Sequence, residues 1–175
     1  MRSPRRAIRG VGLAALPLAA FLAALVTACG SGGDSGDPAS LPSHLRVHVI
    51  RAVDGDTALM RVDGRAQYVR YIGVDTPETV KPDTPVECFG PQASAFDHRL
   101  VDGRTVRLVF DRERQDAYGR LLAYVYAGDR FVNAALVAAG FARTLAIPPN
   151  TAHAARFARL AERAARRGRG LWGRC

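Results

Sequence analysis

Cysteine is scarce in this chain: three residues in 175, with no C-x-x-C pair among them. That excludes a zinc ribbon and a thioredoxin-type dithiol. No apolar run reaches the ~20 residues that a membrane-spanning helix needs. The longest, Val11 to Val26, is uncharged but short and is broken by Pro17. No segment recurs at a solenoid period, so a repeat array is excluded. Aromatics are few, at 7%, but 48% of residues are hydrophobic and only 23% charged. Wholesale disorder is therefore excluded, and the length suits one domain with a real core.

What is present begins with a basic start, Arg2, Arg5, Arg6 and Arg9, followed by the short apolar run. This is the layout of a secretory signal peptide over residues 1–28. Its ending, Leu25-Val26-Thr27-Ala28-Cys29, resembles the lipobox of bacterial lipoproteins. That implies acylation of Cys29 and attachment to the outer face of the cell membrane, or secretion if the lipobox is not used. Residues 29–44, rich in Gly, Ser, Asp and Pro, read as a flexible tether. Residues 45–175 are then the folded domain.

The formal charge of +9 and pI of about 10.5 point to a polyanionic partner. Position changes that reading. The expected signal peptide holds four Arg and no carboxylate, and the segment from Arg156 onward holds seven Arg and one Glu. Residues 29–155 carry a net charge of only −1. Attraction for a phosphate must come from particular residues rather than from an overall field.

Alternation of apolar and polar residues predicts strands over 45–53, 58–62, 67–74, 105–110 and 121–126. Asp63-Gly64 is a hairpin signal between the second and third. Five strands suit a small barrel. Helical spacing predicts three helices: one opened by Pro91, one over Val132–Ala139 stopped by Gly140, and one over Thr151–Arg167 with Thr151 as its cap. Arg156, Arg159, Arg163 and Arg166 share a face of the last. Its plainest reading is a solvated face, with nucleic acid or an anionic membrane surface as the alternative.

Several charged residues exceed what a barrel needs. Val53-Asp54-Gly55-Asp56-Thr57 joins two strands, Arg70 lies in the third, and Asp75-Thr76-Pro77-Glu78 follows it. Tyr118-Gly119-Arg120 precedes the fifth. Singly these are turns and strand terminators. Together, V-D-G-D-T, V-R-Y-I-G-V-D-T-P-E, C-F-G-P-Q-A-S-A-F and D-A-Y-G-R-L-L-A-Y resemble the secreted thermonucleases, the staphylococcal nuclease family. The resemblance runs from about Leu45 to Trp172.

It implies an OB-fold, a five-stranded barrel with three helices. It implies a calcium-dependent nuclease that cleaves the P–O5′ bond of DNA or RNA and leaves 3′-phosphates, acting as a monomer. Asp56, Asp75 and the carbonyl of Thr76 match the Ca2+ ligands, a hard oxygen set that leaves room for water and phosphate. Glu78 matches the residue that acts as general base or orients the attacking water. Arg70 and Arg120 match the pair that grips the scissile phosphate. Tyr118 matches the aromatic lining the nucleotide pocket.

The family's lysine-rich loop is reduced to Lys81, the remaining candidate there for substrate binding. No tyrosine appears in Arg143–Ile147, where the family offers a second aromatic. A non-catalytic OB-fold that only binds nucleic acid is the competing reading. Such modules lose acidic residues and keep basic ones, the reverse of the pattern here.

With Cys29 assigned to lipid, Cys88 and Cys175 remain. In an exported chain a bridge is favoured over free thiols or a zinc or redox role. His44, His48, His98 and His153 read as structural or surface residues.

Overall fold

The computed structural model describes residues 37–175. The expected signal peptide, the lipidation site Cys29 and the first half of the tether, residues 29–36, lie outside the described residues.

The chain forms β1 (His44–Ala52), β2 (Thr57–Val62), β3 (Arg65–Tyr71), β4 (Gly73–Asp75), α1 (Gly90–Val101), β5 (Thr105–Val109), β6 (Leu121–Ala127), β7 (Arg130–Phe131), α2 (Val132–Ala139), β8 (Arg143–Leu145), α3 (Ala154–Arg166) and a terminal turn of helix, α4 (Leu171–Arg174). The main sheet has the order β3-β2-β1-β5-β6-β7, and β3 also pairs in parallel with β6. That pairing closes a five-stranded barrel of β1, β2, β3, β5 and β6. With α1, α2 and α3 packed against it, this is the expected OB-fold.

The strands form because alternate residues are apolar and find a common interior. Val47, Val49, Met60, Val62, Val69, Val106, Leu108, Leu121, Ala123 and Val125 are all buried. A fully buried Val or Leu contributes about 1.5–3 kcal/mol, so this set is the main source of stability. Asn133, wholly buried at the start of α2, accepts from the Val125 amide at 2.9 Å and donates to the Ile72 carbonyl at 2.9 Å. It thereby ties α2 to the barrel at the level where the third expected strand breaks.

That break corrects the sequence expectation of one strand over 67–74. Gly73 has φ +79°, and a Cβ there would lie 2.6 Å from the Phe157 ring. The turn makes room for Phe157 and redirects β4 to pair with β8 instead. A second correction concerns α3. Its N-cap is His153, not Thr151, and no side chain caps it. The Ala152 amide donates instead to Asp111 Oδ2 at 3.2 Å, and the His153 ring packs edge-on against Tyr124 at 4.5 Å.

Residues 37–41 are ordered against the body. Leu41 packs on the core, and the Arg114 guanidinium donates to the carbonyls of Pro38 and Leu41. Among the described residues no helix is long and apolar enough to cross a membrane.

Candidate active site

The ends of β1, β3 and β6 lie together at one end of the barrel and carry the charged residues inward. Gly55 sits in the β1–β2 loop, where a Cβ would meet the Thr76 side chain at 2.7 Å. Only glycine permits that approach, which brings Asp56 beside the segment after β4. The Asp56 carboxylate is buried. Its Oδ2 accepts from the Thr76 amide at 2.7 Å and the Thr76 hydroxyl at 2.9 Å, and Thr57 donates to Oδ1 at 3.2 Å.

Arg70 organises the centre. Its Nη1 lies 3.1 Å from Asp56 Oδ1 and donates to the carbonyl of Val74 at 2.8 Å, while Nη2 lies 3.2 Å from Asp75 Oδ1. One guanidinium thus faces both carboxylates. Across the cavity, Arg120 Nε donates to Asp116 Oδ2 at 2.7 Å. Asp116 Oδ1 also accepts from the amides of Tyr118 and Arg120, each at 2.9 Å, so this aspartate shapes the whole Tyr118-Gly119-Arg120 turn.

A cavity of about 90 Å³ is lined by Asp54, Asp56, Asp75, Glu78, Arg70 and Arg120 with Thr57, Thr76 and Pro77. Its four carboxylates and two guanidiniums give a formal charge of −2. Burial pushes the Asp56 carboxyl up to about 6, against the pull of Arg70. Burial also raises Asp75, again opposed by Arg70. A divalent cation suits this deficit, and the donors are hard oxygens. Among the described residues no group of three or more His, Cys, Asp or Glu side chains is placed to hold a metal ion. What the cavity offers a cation is the Asp56 and Asp75 carboxylates, with the Arg70 guanidinium between them.

Asp56 gives a pH expectation with a definite sign. Its folded value of about 6 lies above its ordinary 3.8, so in metal-free protein it favours folding below pH 3.8 and loses that contribution as pH rises through 6. Asp56→Asn should therefore be more resistant to urea than the parent at pH 8 in EDTA. The gap should close near pH 4. A variant less stable than the parent at pH 8 would contradict this account.

Glu78 behaves differently. Its Oε1 accepts from the amides of Thr79, Val80 and Lys81 at 2.8, 2.9 and 3.0 Å. These bonds, Val80's foremost, hold the carboxyl below its ordinary range although burial opposes them. The loop is clamped to Glu87: the Glu87 amide donates to the Glu78 carbonyl at 2.9 Å, and the Glu78 amide to Glu87 Oε2 at 3.1 Å.

A larger cavity of about 330 Å³ adjoins, lined by Arg70, Tyr118, Arg120, Leu122, Leu145, Ile147 and Asn150 among others. Tyr118 is 84% exposed, and Arg120 lies 5.5 Å from its ring centroid.

Residues 68–174 match the family model described as staphylococcal nuclease homologue. The chain belongs to the staphylococcal nuclease family. It is 51% identical over 102 residues to the thermonuclease of Staphylococcus intermedius, covering 58% of this chain and 61% of that relative. It is 43% identical over 124 residues to the thermonuclease of Staphylococcus hyicus, covering 71% and 73%. Endonuclease YncB of Bacillus subtilis (strain 168) is 42% identical over 115 residues, covering 65% of this chain and 54% of that relative. The match thus spans about three-fifths of the first relative's length.

The fold brings Asp56, Arg70, Asp75, Thr76, Glu78 and Arg120 to one cavity and places Tyr118 at its neighbour. Lys81 lines neither cavity. Its side chain is exposed, and only its backbone amide serves the site, through Glu78. Cys88 and Cys175 form a disulfide with a Cα–Cα distance of 5.9 Å. Two contributors escaped the sequence reading. Asp54 accepts from the Asp56 amide at 2.9 Å, and Asp116 holds Arg120. The signal for the second was available: an Asp four residues before a functional Arg, with a Gly between them.

Proposed function

We propose that this chain is a calcium-dependent nuclease hydrolysing the P–O5′ bond of DNA or RNA to leave 3′-phosphates. The observation that carries the reading is the convergence of Asp56, Asp75 and Glu78 with Arg70 and Arg120 on one cavity of formal charge −2. Asp56, Asp75 and the Thr76 carbonyl would hold the ion, which when bound polarises a phosphoryl oxygen and offsets charge.

The remaining work belongs to the side chains. Arg120, held through Nε by Asp116, keeps its terminal nitrogens for equatorial phosphate oxygens. Their value grows as charge builds on the phosphate in the transition state. Arg70 meets the same phosphate while neutralising Asp56 and Asp75. A carboxylate held below its ordinary range is a weak proton acceptor. Glu78 is therefore read as the group that orients the attacking water through Oε2, with Oε1 fixed by its own loop. Tyr118 with Leu145 and Ile147 offers the nucleoside one aromatic and two aliphatic surfaces.

Digestion of single-stranded DNA tests this. Cleavage is expected with calcium, none with EDTA, and a loss of about 10²–10⁴-fold in Glu78→Ala. Binding without cleavage by the parent in calcium would establish the non-catalytic alternative. The reading is completed by export and attachment to the outer face of the cell membrane through a lipid on Cys29, or secretion if the lipobox is not used, as a monomer. Incorporation of radiolabelled palmitate, abolished in Cys29→Ser, is the expected result.

A further inference from the structure

The outer face of the barrel carries an arrangement that the cleavage site does not use. Arg46 on β1 and Arg107 on β5 are directly opposite each other in the antiparallel ladder. Like charges at such a position repel and destabilise the pair of strands. Neither is ion-paired among the described residues. No Asp or Glu occurs in β1, β2, β5, β6 or β7 to offset them. His44 and His48 flank Arg46 on the same exposed face.

The row continues across the sheet. The Arg107 guanidinium lies 4.2 Å from the Tyr126 ring centroid, Tyr126 stacks on Phe131 at 4.5 Å, and the Arg156 guanidinium lies 5.1 Å from the Phe131 ring. Arg156 stands on α3, so barrel and helix contribute to one surface. The rings hold the guanidinium carbons in place while their N–H edges stay available, which suits phosphate oxygens. Among the described residues no carboxylate forms an ion pair with the row. Asp111 is engaged by the Tyr124 hydroxyl at 2.9 Å and the Ala152 amide, and Asp129 in the β6–β7 turn makes no ion pair among the described residues. On α3 the single carboxylate, Glu162, is paired with Arg166 at 2.9 Å.

We propose that Arg46, Arg107 and Arg156 form a second anion-binding row that grips the phosphate backbone of the nucleic acid outside the cleavage cavity. The proposal rests on the nuclease reading for its partner. Tyr126 lies six residues along β6 from Arg120, and Arg46 six residues along β1 from Ala52, so the row is about 20 Å from the cavity. A dinucleotide held at the cavity does not reach it, whereas a long strand does. The row therefore acts on polymer affinity and not on the chemical step.

The test uses the full chain and the double variant Arg46→Gln/Arg107→Gln. With a long single-stranded DNA and calcium, KM should rise about tenfold with kcat unchanged, and dinucleotide hydrolysis should not change. Fluorescence anisotropy on a labelled 30-nucleotide strand in EDTA reads binding without cleavage. Its log–log salt slope should be shallower by about 1.4, two phosphate contacts at ~0.7 each for a single strand. Arg46→Lys/Arg107→Lys should keep most of the affinity. Equal KM for long DNA, or the same change on the dinucleotide, overturns the proposal. So does loss of binding to phosphatidylglycerol vesicles with DNA affinity intact, which would assign the row to a membrane surface. Because anisotropy needs no turnover, a parent that binds but does not cleave defeats the nuclease reading and leaves the row standing.

Discussion

Replacing Arg120 by alanine lowers kcat on single-stranded DNA by about 10²–10³-fold and leaves the protein folded. The side chain is one-third exposed, and among the described residues its one ion pair is with Asp116. When the guanidinium is removed, Asp116 still accepts from the amides of Tyr118 and Arg120, so the turn persists. What disappears is a donor whose hydrogen bonds strengthen as phosphate charge grows. Arg70→Ala should be worse in a distinguishable way. Its side chain is 15% exposed and faces both Asp56 and Asp75. Breaking a buried pair leaves an uncompensated charge, at about 3–5 kcal/mol. Urea titration therefore separates them: Arg120→Ala keeps its midpoint and Arg70→Ala loses it, while both lose turnover. If Arg120→Ala retains parental kcat, the phosphate-gripping role is wrong. If both variants unfold alike, the division between chemistry and structure is wrong.

The contrast between those arginines marks what a sequence can and cannot reveal. Period-two alternation located the five barrel strands because each needs only one apolar face. The closure between β3 and β6 was invisible, since it is a parallel pairing across fifty residues with no local signature. The short strands β7 and β8 were missed and β4 was run together with β3, because two- and three-residue ladders exist only where a partner is supplied. At the site, the residues that match a family pattern were all legible. Of their supports, Asp116 carried a local signal four residues before Arg120, whereas the Glu87 clamp on Glu78 depends on a loop turning back on itself. Asp97, fully buried in α1 and bonded to the Tyr71 hydroxyl at 3.0 Å, is a further polar group with no local sequence signal. Burial pushes its carboxyl well above the ordinary range.

Removing the Cys88–Cys175 bridge, by Cys88→Ser with Cys175→Ser, should cost about 4–5 kcal/mol, the loop-entropy value for a ring of this size. That corresponds to a fall of about 10–15 °C in Tm. The loss should act chiefly through the unfolded chain, because the native terminus has other anchors. Leu171 is buried, and its amide donates to the Gly140 carbonyl at 2.9 Å. Gly140 and Gly170 approach so closely that a Cβ on either would collide with the other strand of chain. The folded variant should therefore keep α4 in place. At the other end, Cys88 adjoins Glu87, whose two hydrogen bonds hold the backbone of Glu78. A modest fall in kcat should accompany the large fall in stability, and dithiothreitol should reproduce both in the parent while leaving the double variant unchanged. Both cysteines are exposed, so the reductant has access. Mass spectrometry after denaturation without reductant should find Cys88 and Cys175 joined. Two free thiols there, or a Tm unmoved by their replacement, would remove the bridge from the account of stability and leave the Gly140–Gly170 contact as the main tie on the C-terminus.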